Sequence, residues 1–454
     1  MDFSKISPFH VDPSPITEAF ELTAEDFAPA NESEKQSMVE KRKSVSYWRD
    51  AARRFKENKV SMAALFVFTL CLIFAFVGPL LIPYGYGDQY RSSQKLAPMK
   101  FSADEQKVKN VSDKLEAFFA TALQPGSITA LDPGDYFIRY KGKTYAFSSK
   151  GYIENKIIAV SPGAGEASLV MIDMKDIGED GSIAASQNIP FTETPAEGAK
   201  ELKTVKTVFP HVFGTDSVGR DLMARTMYGA RVSIMIGIIA AIIVLFIGSI
   251  YGSISGYIGG RVDFVMMRIV ELIYSIPEVL IVLLLQVVIK DPLNVWFDKS
   301  NFFLAKVLAP LGSGVISIFI TFALLYWVTM ARIVRGQVLQ LKQQEFVTAA
   351  IALGAGNRRI IKRHLLPNSV GALVITTCLQ IPSAIFLESF LSFLGLGVSA
   401  PMASLGSLCS DALATITIFP YRLVYPAVTL TIIVLTLNLV GDGLRDALDP
   451  RLKK

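Results

Sequence analysis

Charged residues, cysteines and histidines are all scarce in this chain of 454 residues. Asp, Glu, Lys and Arg make up 19% of it, against about 25% in a typical soluble domain. Three cysteines cannot build a disulfide framework, and three widely separated histidines offer little material for a histidine metal site. Hydrophobic residues reach 51% and the mean hydropathy is +0.41, which excludes a disordered chain and argues against an ordinary soluble enzyme. The composition indicates a membrane protein.

Long apolar runs predict six membrane-spanning helices. At about 1.5 Å per residue, a run of about 20 residues crosses a hydrocarbon core of about 30 Å. Glu271, Pro277 and Glu278 interrupt the third run, which a helix inside a bundle tolerates where neighbouring groups satisfy the freed backbone. The predicted spans are 62–82, 232–256, about 265–289, about 314–331, 370–394 and 424–440.

Lysine and arginine residues predict the orientation of these spans. They concentrate before the first span, in the loops 256–268 and 332–363, and in the tail 445–454. If the chain has six spans, these four segments all lie on the same side of the membrane. The positive-inside rule makes that side cytoplasmic, so both termini are expected there. Arg220, Arg225 and Arg231 oppose this assignment because they precede the second span on the outer side.

The patterns divide the chain into segments with different expected environments. Trp48 and Phe55 recur among charged residues at helical spacing, which favours an amphipathic helix on the membrane surface; a solvated lead-in to the first span is the alternative. The predicted segments are a cytoplasmic tail (1–45), the interfacial helix (46–60), the first span (62–82), an extracytoplasmic insertion (84–212), a transmembrane core (213–440) with a cytoplasmic loop (341–368), and a cytoplasmic tail (441–454).

The insertion is too long for a hairpin loop and is predicted to form a small α+β domain. Residues 104–121 have helical spacing, and residues 136–148 alternate around Lys141-Gly142-Lys143 as the two strands of a hairpin do. Residues 168–174 are a third strand candidate. Acidic and basic residues nearly cancel in the insertion, so nothing marks it as a nucleic-acid binder.

The loop Glu345–Asn368 carries the most informative local pattern. Gly354 is expected to end a first short helix in the left-handed conformation. Asn357 is expected to cap a second short helix and Pro367 to stop it. The sequence therefore predicts two helices joined by a tight turn between two membrane spans.

The same loop has the composition of a helix that docks into a partner's groove. Ala349, Ala350 and Gly354 permit close approach, and Ile360 and Ile361 are the expected apolar anchors. A basic rim is supplied by Arg358, Arg359, Lys362 and Arg363. Contact with anionic lipid alone is the alternative, whereas a loop tied at both ends to the bilayer is poorly suited to following a DNA groove.

Several motifs resemble those of one transporter family. Ala349, Ala350, Gly354, Ile361, Leu366 and Pro367 are spaced as in the cytoplasmic loop of permease subunits of bacterial ABC importers. Other segments are similar to the oligopeptide/dipeptide permease family, and within it to the C-type subunit of the heterodimeric pair. They are FGTDSVGRD (213–221) with YGARVS (228–233), GYIGGRVD (256–263), ESFLSFLGLG (388–397) and GDGLRDALDPR (441–451). The chain departs from the family at Thr348, where many members have glutamate, at 403–406, where Pro-Ser-Trp-Gly is usual, and in its larger insertion.

The resemblance implies an all-α polytopic fold of the type I ABC importers with six spans, to which the α+β domain is added. It implies import of oligopeptides or dipeptides by alternating access, with nickel, opines, sugars or antibiotic peptides as alternative solutes. The implied partners are a second homologous permease, two ATP-binding subunits, an extracytoplasmic solute-binding protein and membrane lipids. The residues implied to couple to the ATPase are Glu345, Ala349, Ala350, Gly354, Arg358, Ile361 and Pro367.

No phosphate loop of the form G-x-x-x-x-G-K-[ST] occurs in the sequence. ATP and Mg²⁺ are therefore assigned to the partner subunits, and no cofactor or metal is expected on this chain. A membrane-anchored scaffold is an alternative from another functional class. An intramembrane enzyme lacks support, because the spans contain no H-E-x-x-H or G-x-S-x-G motif and no paired aspartates, so no catalytic residue is expected.

Polar side chains within the apolar runs are candidates for a translocation path, because such groups are costly in lipid and usually face a cavity or a partner. Glu271, Glu278, Gln380 and Glu388 are assigned to the path, and Gln286 has the same character. Hydrogen bonding between helices, or placement of Glu271 and Glu278 at the membrane edge, is the alternative.

Three charged residues lie just before the second span: Asp216, Arg220 and Asp221. They are expected to form an outer gate or a docking contact for the binding protein. A local salt-bridge cluster that holds the loop is the alternative.

Overall fold

The computed structural model describes residues 47–89, 93–115, 119–120, 131–153, 156–161, 167–202, 204–205, 209–299, 302–399 and 402–448. The described residues from Ala51 onward group into one compact unit. The predicted tail 1–45 and the last part of the predicted C-terminal tail, 449–454, lie outside the described residues.

Helices dominate the described part of the chain. They are α1 (Tyr47–Glu57), α2 (Lys59–Phe76), α3 (Gly78–Leu81), α4 (Ala103–Leu115), α5 (Leu222–Ile258), α6 (Gly260–Tyr274), α7 (Glu278–Lys299), α8 (Phe303–Leu308), α9 (Gly312–Thr321), α10 (Trp327–Lys342), α11 (Glu345–Ala352), α12 (Asn357–Ile360), α13 (Leu366–Asn368), α14 (Val370–Phe393), α15 (Leu405–Leu413) and α16 (Tyr421–Leu448). Two π-helical turns, Phe322–Tyr326 and Ile361–Leu365, connect α9 to α10 and α12 to α13.

Six helical segments of the described chain are long and apolar enough to cross a membrane, which is the predicted number. They are α2, α5, α7, the segment Ala305–Lys342, α14 and α16. The chain is therefore a multi-pass membrane protein, as its composition predicted.

The third span differs from its predicted bounds of 265–289. Helix α6 ends at Tyr274, and the membrane-length helix α7 begins only at Glu278. Pro277 explains the break, because its ring excludes a helical hydrogen bond and restricts the preceding residue, Ile276, to extended backbone. Residues 265–274 therefore belong to a separate helix.

Helix α5 lies at the centre of the membrane part and packs against α10 and α14. Its start at Leu222 follows from Asp221, whose carboxylate accepts the Ala224 backbone N–H at 2.7 Å as an N-cap. A Cβ atom on Gly252 would clash with the carbonyl oxygen of Ala331 in α10. Glycine at this position therefore permits the close approach of α5 and α10.

The described part of the insertion contains two small sheets and helix α4. The strands are β1 (Phe119–Ala120), β2 (Gly134–Tyr140), β3 (Lys143–Ser149), β4 (Lys156–Ser161), β5 (Ser168–Asp173), β6 (Gln187–Asn188), β7 (Lys200–Glu201) and β8 (Thr204–Val205). They pair in the orders β6-β5-β4-β1-β8 and β3-β2-β7. The predicted hairpin is confirmed as β2–β3, with Lys141 and Gly142 at φ values of 46° and 80° in its turn. The predicted strand 168–174 is confirmed as β5, but the helix predicted for 104–121 ends at Leu115, and residues 119–120 form strand β1.

The side chains of β4 point alternately to two sides and contribute to both parts of the insertion's core. Ile157 and Ala159 are fully buried against Val108 and Val111 of α4. Ile158 and Val160 point the other way and pack with residues of the second sheet, among them Ile138. Strand β4 therefore has two buried faces, because side chains alternate along a strand.

Candidate functional site

The loop between α10 and α14 presents an apolar surface on one side and is anchored on the other. Leu353 is 88% exposed and Ile351 50% exposed. Val347, Ile360 and Leu365 are fully buried in the main core of the same chain. The exposed apolar residues of the loop are therefore carried on a base that is packed into the membrane part.

The turn after α11 has the hydrogen bonds of a Schellman motif. The Ala355 N–H donates to the Ala350 carbonyl at 3.0 Å, and the Gly354 N–H donates to the Ile351 carbonyl at 2.9 Å. Gly354 has φ +78°, which confirms the predicted left-handed conformation. This motif fixes the direction in which Leu353 projects.

Two local predictions for the loop are wrong. Gly356, not Asn357, is the N-cap residue of α12, and the Asn357 side chain instead accepts the Tyr257 hydroxyl at 3.3 Å. Pro367 does not stop a helix, since it lies in the first turn of α13, which runs to Asn368. Proline is tolerated there because the first N–H groups of a helix have no intrahelical partner.

The structure divides the residues predicted to couple to an ATPase into two groups. Glu345, Ala349, Gly354, Arg358 and Pro367 are exposed, whereas Ala350 is buried and Ile361 is half-buried against the core. The predicted anchor Ile360 is fully buried within its own chain. Leu353 was missed by the sequence reasoning, although its position directly before a helix-ending glycine was an available signal.

A basic concave surface is formed by the part of the loop that follows the turn at Gly354. Its volume is about 780 Å³, and it is lined by Gly356, Asn357, Arg358, Arg359, Lys362, Arg363 and Pro367. The predicted basic rim is therefore brought together on one side of the loop. Arginine and lysine side chains in this arrangement suit acidic side chains or carbonyl groups of a partner protein.

A second concavity, of about 560 Å³, lies between the break before α7 and the helices α10 and α14. Glu278 and Gln380, two of the predicted path residues, both line it, although 102 positions separate them in sequence. Tyr326 lines the same cavity. Thr329 and Ser383 add hydroxyl groups to the lining.

The other predicted path residues do not line this cavity. Glu388 is fully buried, and its carboxylate accepts hydroxyl hydrogen bonds from Ser233 and Ser392, each at 2.7 Å. Glu271 is exposed on α6 and pairs with Arg268 at 2.6 Å. Gln286 is buried and accepts the Ser317 hydroxyl at 2.6 Å. The contacts of Glu388 and Gln286 favour hydrogen bonding between helices.

The charged residues before α5 have partners within the chain. The Asp216 carboxylate lies 2.6 Å from Arg220 Nε and 2.9 Å from Arg225 Nη1. Asp221 caps α5 and lies 2.8 Å from His211 Nδ1. These contacts favour the local cluster over a gate or docking contact.

His211 and Glu105 complete that cluster and were missed by the sequence reasoning. The His211 Nε2 atom lies 3.1 Å from the Glu105 carboxylate, and both side chains are buried. Burial by itself lowers the pKa of His211, but hydrogen bonds and charge interactions with Asp221 and Glu105 raise that pKa to about 9. No local sequence signal connects Glu105 with His211, because 106 positions separate them.

Comparisons with known proteins agree with the membrane architecture. Residues 233–454 match the family described as binding-protein-dependent transport system inner membrane component. Residues 46–98 match the family described as N-terminal TM domain of oligopeptide transport permease C. The two matches cover the first span and the core from within α5 onward.

Curated relatives extend this agreement. The oligopeptide transport system permease protein of Bacillus subtilis (strain 168) is 48% identical over 244 residues, which cover 54% of this chain and 73% of the relative. The oligopeptide transport system permease protein of Escherichia coli (strain K12) is 46% identical over 241 residues, which cover 53% and 72% of the two chains. The dipeptide transport system permease protein of Bacillus subtilis (strain 168) is 32% identical over 429 residues, which cover 94% of this chain and 93% of the relative. That last alignment extends through the insertion.

The family matches, the relatives and the six membrane-length helices lead to one conclusion. The chain belongs to the oligopeptide/dipeptide permease family of ABC importers, and it is a multi-pass inner-membrane permease subunit rather than an enzyme.

Proposed function

We propose that this permease moves oligopeptides or dipeptides inward across the cytoplasmic membrane by alternating access, driven by separate ATPase subunits. The observation that carries the coupling role is the exposure of Leu353, which is 88%, on a turn whose base is buried in the membrane part. Phe346 and Ile351 of the preceding helix are exposed as well, and the basic concavity is formed by the residues that follow the turn. An apolar centre with a polar rim is the usual composition of a protein interface.

The proposed assembly contains this chain, a second homologous permease, two ATP-binding subunits and an extracytoplasmic solute-binding protein. ATP and Mg²⁺ bind to the ATP-binding subunits, and this chain binds no cofactor. Both termini are proposed to be cytoplasmic. This places the loop 341–368, called the coupling loop from here on, on the side of the ATPase and the α+β insertion on the side of the binding protein. Membrane lipids surround the six spans.

The proposed path includes the cavity lined by Glu278 and Gln380. Its lining combines one carboxylate with amide and hydroxyl groups, which suits the ammonium group and the backbone of a peptide. The names of the relatives favour peptides over nickel, opines or sugars. Competition between a labelled dipeptide and each of these solutes during uptake distinguishes the alternatives.

A tagged chain purified from native membranes in mild detergent tests the assembly. We expect mass spectrometry of the bound proteins to identify a second permease and ATPases with phosphate loops. Leu353→Asp is expected to lose the ATPases and to retain the second permease, because it places a charge at the centre of the apolar surface. Tyr152→Asp is a matched control, since Tyr152 is 73% exposed but lies in the insertion. Recovery of the wild-type chain without any ATPase would favour the membrane-anchored scaffold instead.

A further inference from the structure

A two-pronged ion pair joins helix α6 to helix α10. Arg335 Nε lies 2.6 Å from Asp263 Oδ1, and Arg335 Nη2 lies 2.6 Å from Asp263 Oδ2. The Ser255 hydroxyl also donates to this carboxylate. The Asp263 side chain is only 16% exposed and that of Arg335 33% exposed, so the pair is partly shielded from water. Such paired, charge-assisted hydrogen bonds fix both the distance and the orientation of their partners.

The ion pair lies at the end of a series of contacts that begins in the coupling loop. The Asn357 side chain accepts the Tyr257 hydroxyl at 3.3 Å. Tyr257 is near the end of α5, and its carbonyl accepts a hydrogen bond from Lys342, the last residue of α10. The loop, the end of α5 and the end of α10 therefore meet within two helical turns of Arg335.

Helix α6 continues from the ion pair to the proposed path. Eleven positions after Asp263, the Tyr274 ring lies under the Arg332 guanidinium at a centroid distance of 4.3 Å. Tyr274 and Pro277 line the cavity that also contains Glu278. At about 1.5 Å per residue, α6 thus extends about 16 Å from the ion pair to the edge of the cavity.

Apolar packing, which has no preferred direction, also joins α6 to α10: three side chains of α6, Met267, Val270 and Ile273, share one cluster with Trp327, Val328 and Ala331 of α10. Most of its side chains are exposed or half-buried, and Val270 is its one fully buried side chain among the described residues. The Tyr251 hydroxyl donates to the Met266 carbonyl at 2.8 Å. Asp263 and Arg335 therefore make the strongest directional contact between α6 and α10.

We infer that Asp263 and Arg335 are positioning residues for transport. Their ion pair makes α6 follow α10 when the coupling loop moves. The motion of α6 then changes the shape of the cavity at Tyr274 and Pro277. The inference rests on the proposed function, because it requires that the loop move with an ATPase. Neither residue lines the cavity. Loss of the ion pair is expected to uncouple ATP hydrolysis from solute transport.

The test uses the whole importer reconstituted in lipid vesicles, with binding protein and a labelled dipeptide. ATP hydrolysis and dipeptide uptake are measured in the same preparation, and their ratio is the readout. Asp263→Asn is expected to lower uptake at least tenfold while ATP hydrolysis stays within about twofold of wild type. The doubly substituted Asp263→Arg, Arg335→Asp chain is expected to regain part of the ratio, because it restores the opposite charges.

Arg268→Gln is the matched control. It removes the ion pair of Arg268 with Glu271 on the same helix, where both side chains are exposed by more than half. The control is expected to keep the wild-type ratio, since exposed pairs contribute little.

Three outcomes would overturn the inference. The first is a wild-type ratio in Asp263→Asn. The second is loss of assembly in both Asp263→Asn and Arg335→Lys, which would show that the pair only holds the fold. The third is an equal loss of coupling in Arg268→Gln. Absence of uptake by the wild-type importer would instead contradict the proposed function itself, and the inference with it.

Discussion

The His211 Nδ1 atom lies 2.8 Å from the Asp221 carboxylate that caps helix α5. The opposite ring nitrogen contacts Glu105 in α4, so one imidazole joins the insertion to the start of helix α5. Tyr84 stacks on the ring at a centroid distance of 4.4 Å and completes its enclosure. The insertion is therefore attached to the membrane part through a buried group of titratable residues.

This attachment predicts a loss of stability at alkaline pH. The pKa of His211 is raised from 6.5 to about 9 in the folded chain. The stability that protonated His211 contributes is therefore complete below about pH 6.5 and is lost as the pH rises through about 9; the shift corresponds to about 3 kcal/mol. Thermal unfolding midpoints measured between pH 6 and 10 are expected to fall across this window.

The substitution His211→Gln identifies the group responsible. It removes the titrating ring, so the fall in unfolding midpoint between pH 6.5 and 9 is expected to shrink. His364→Gln serves as the control, because His364 lies in the coupling loop, far from α4 in sequence, and it is expected to keep the wild-type slope. An unchanged slope in His211→Gln contradicts the assignment.

A pair of glycine substitutions tests the turn of the coupling loop. Gly354 has φ +78°, whereas Gly356 has φ −69° and ψ 156°, a conformation open to any residue. Gly354→Val is expected to cost about 1–2 kcal/mol or more locally and to reduce both ATPase recovery and uptake. Gly356→Val is expected to affect both much less, since a Cβ atom at either position has free space within the described chain. Equal losses in the two variants would contradict a role for the left-handed turn.

Removal of one charge tests the proposed path. Glu278→Gln keeps the shape of the side chain but removes the carboxylate from the cavity that Gln380 also lines. Uptake of a labelled dipeptide is expected to fall about tenfold or more, since a hydrogen bond to a charged group contributes about 1.5–3 kcal/mol. Glu271→Gln, outside the cavity, is expected to stay within about twofold of wild type. The reverse ranking would assign the path to the α6 surface instead.

Two substitutions of Glu388 distinguish packing from transport. Glu388→Leu leaves the hydroxyls of Ser233 and Ser392 without their acceptor and is expected to lose about 2–4 kcal/mol of stability. Glu388→Gln keeps an acceptor and is expected to retain most of the stability and the uptake. Normal stability with abolished uptake in Glu388→Gln would instead place this residue on the path.

Local sequence patterns predicted much of the architecture. The six spans follow from uninterrupted apolar composition, because each must satisfy the same hydrocarbon environment over its whole length. The hairpin at Lys141 and Gly142 and the left-handed Gly354 follow from backbone preferences of single residues. Pro277, which causes the break of the third span, was also visible in the sequence. The predicted bounds of that span were wrong because residues 265–274 form a separate helix.

Such patterns did not predict which side chains are buried and which are exposed. Ile360 and Leu353 are both apolar residues of one loop, yet the first is fully buried and the second 88% exposed. Glu278 and Glu388 both interrupt apolar runs, yet only Glu278 lines the cavity. In each pair the difference depends on which helix lies opposite, and composition carries no information about that.

The sequence by itself determined the membrane class of this protein, the number of its spans and the left-handed turn at Gly354, because each depends on composition or backbone preference over adjacent residues. Only the tertiary structure decided which distant side chains meet: His211 with Glu105, Glu278 with Gln380, and Asp263 with Arg335. These contacts depend on distances of a few ångströms between segments separated by 70 residues or more, which only the packing of helices and sheets can set.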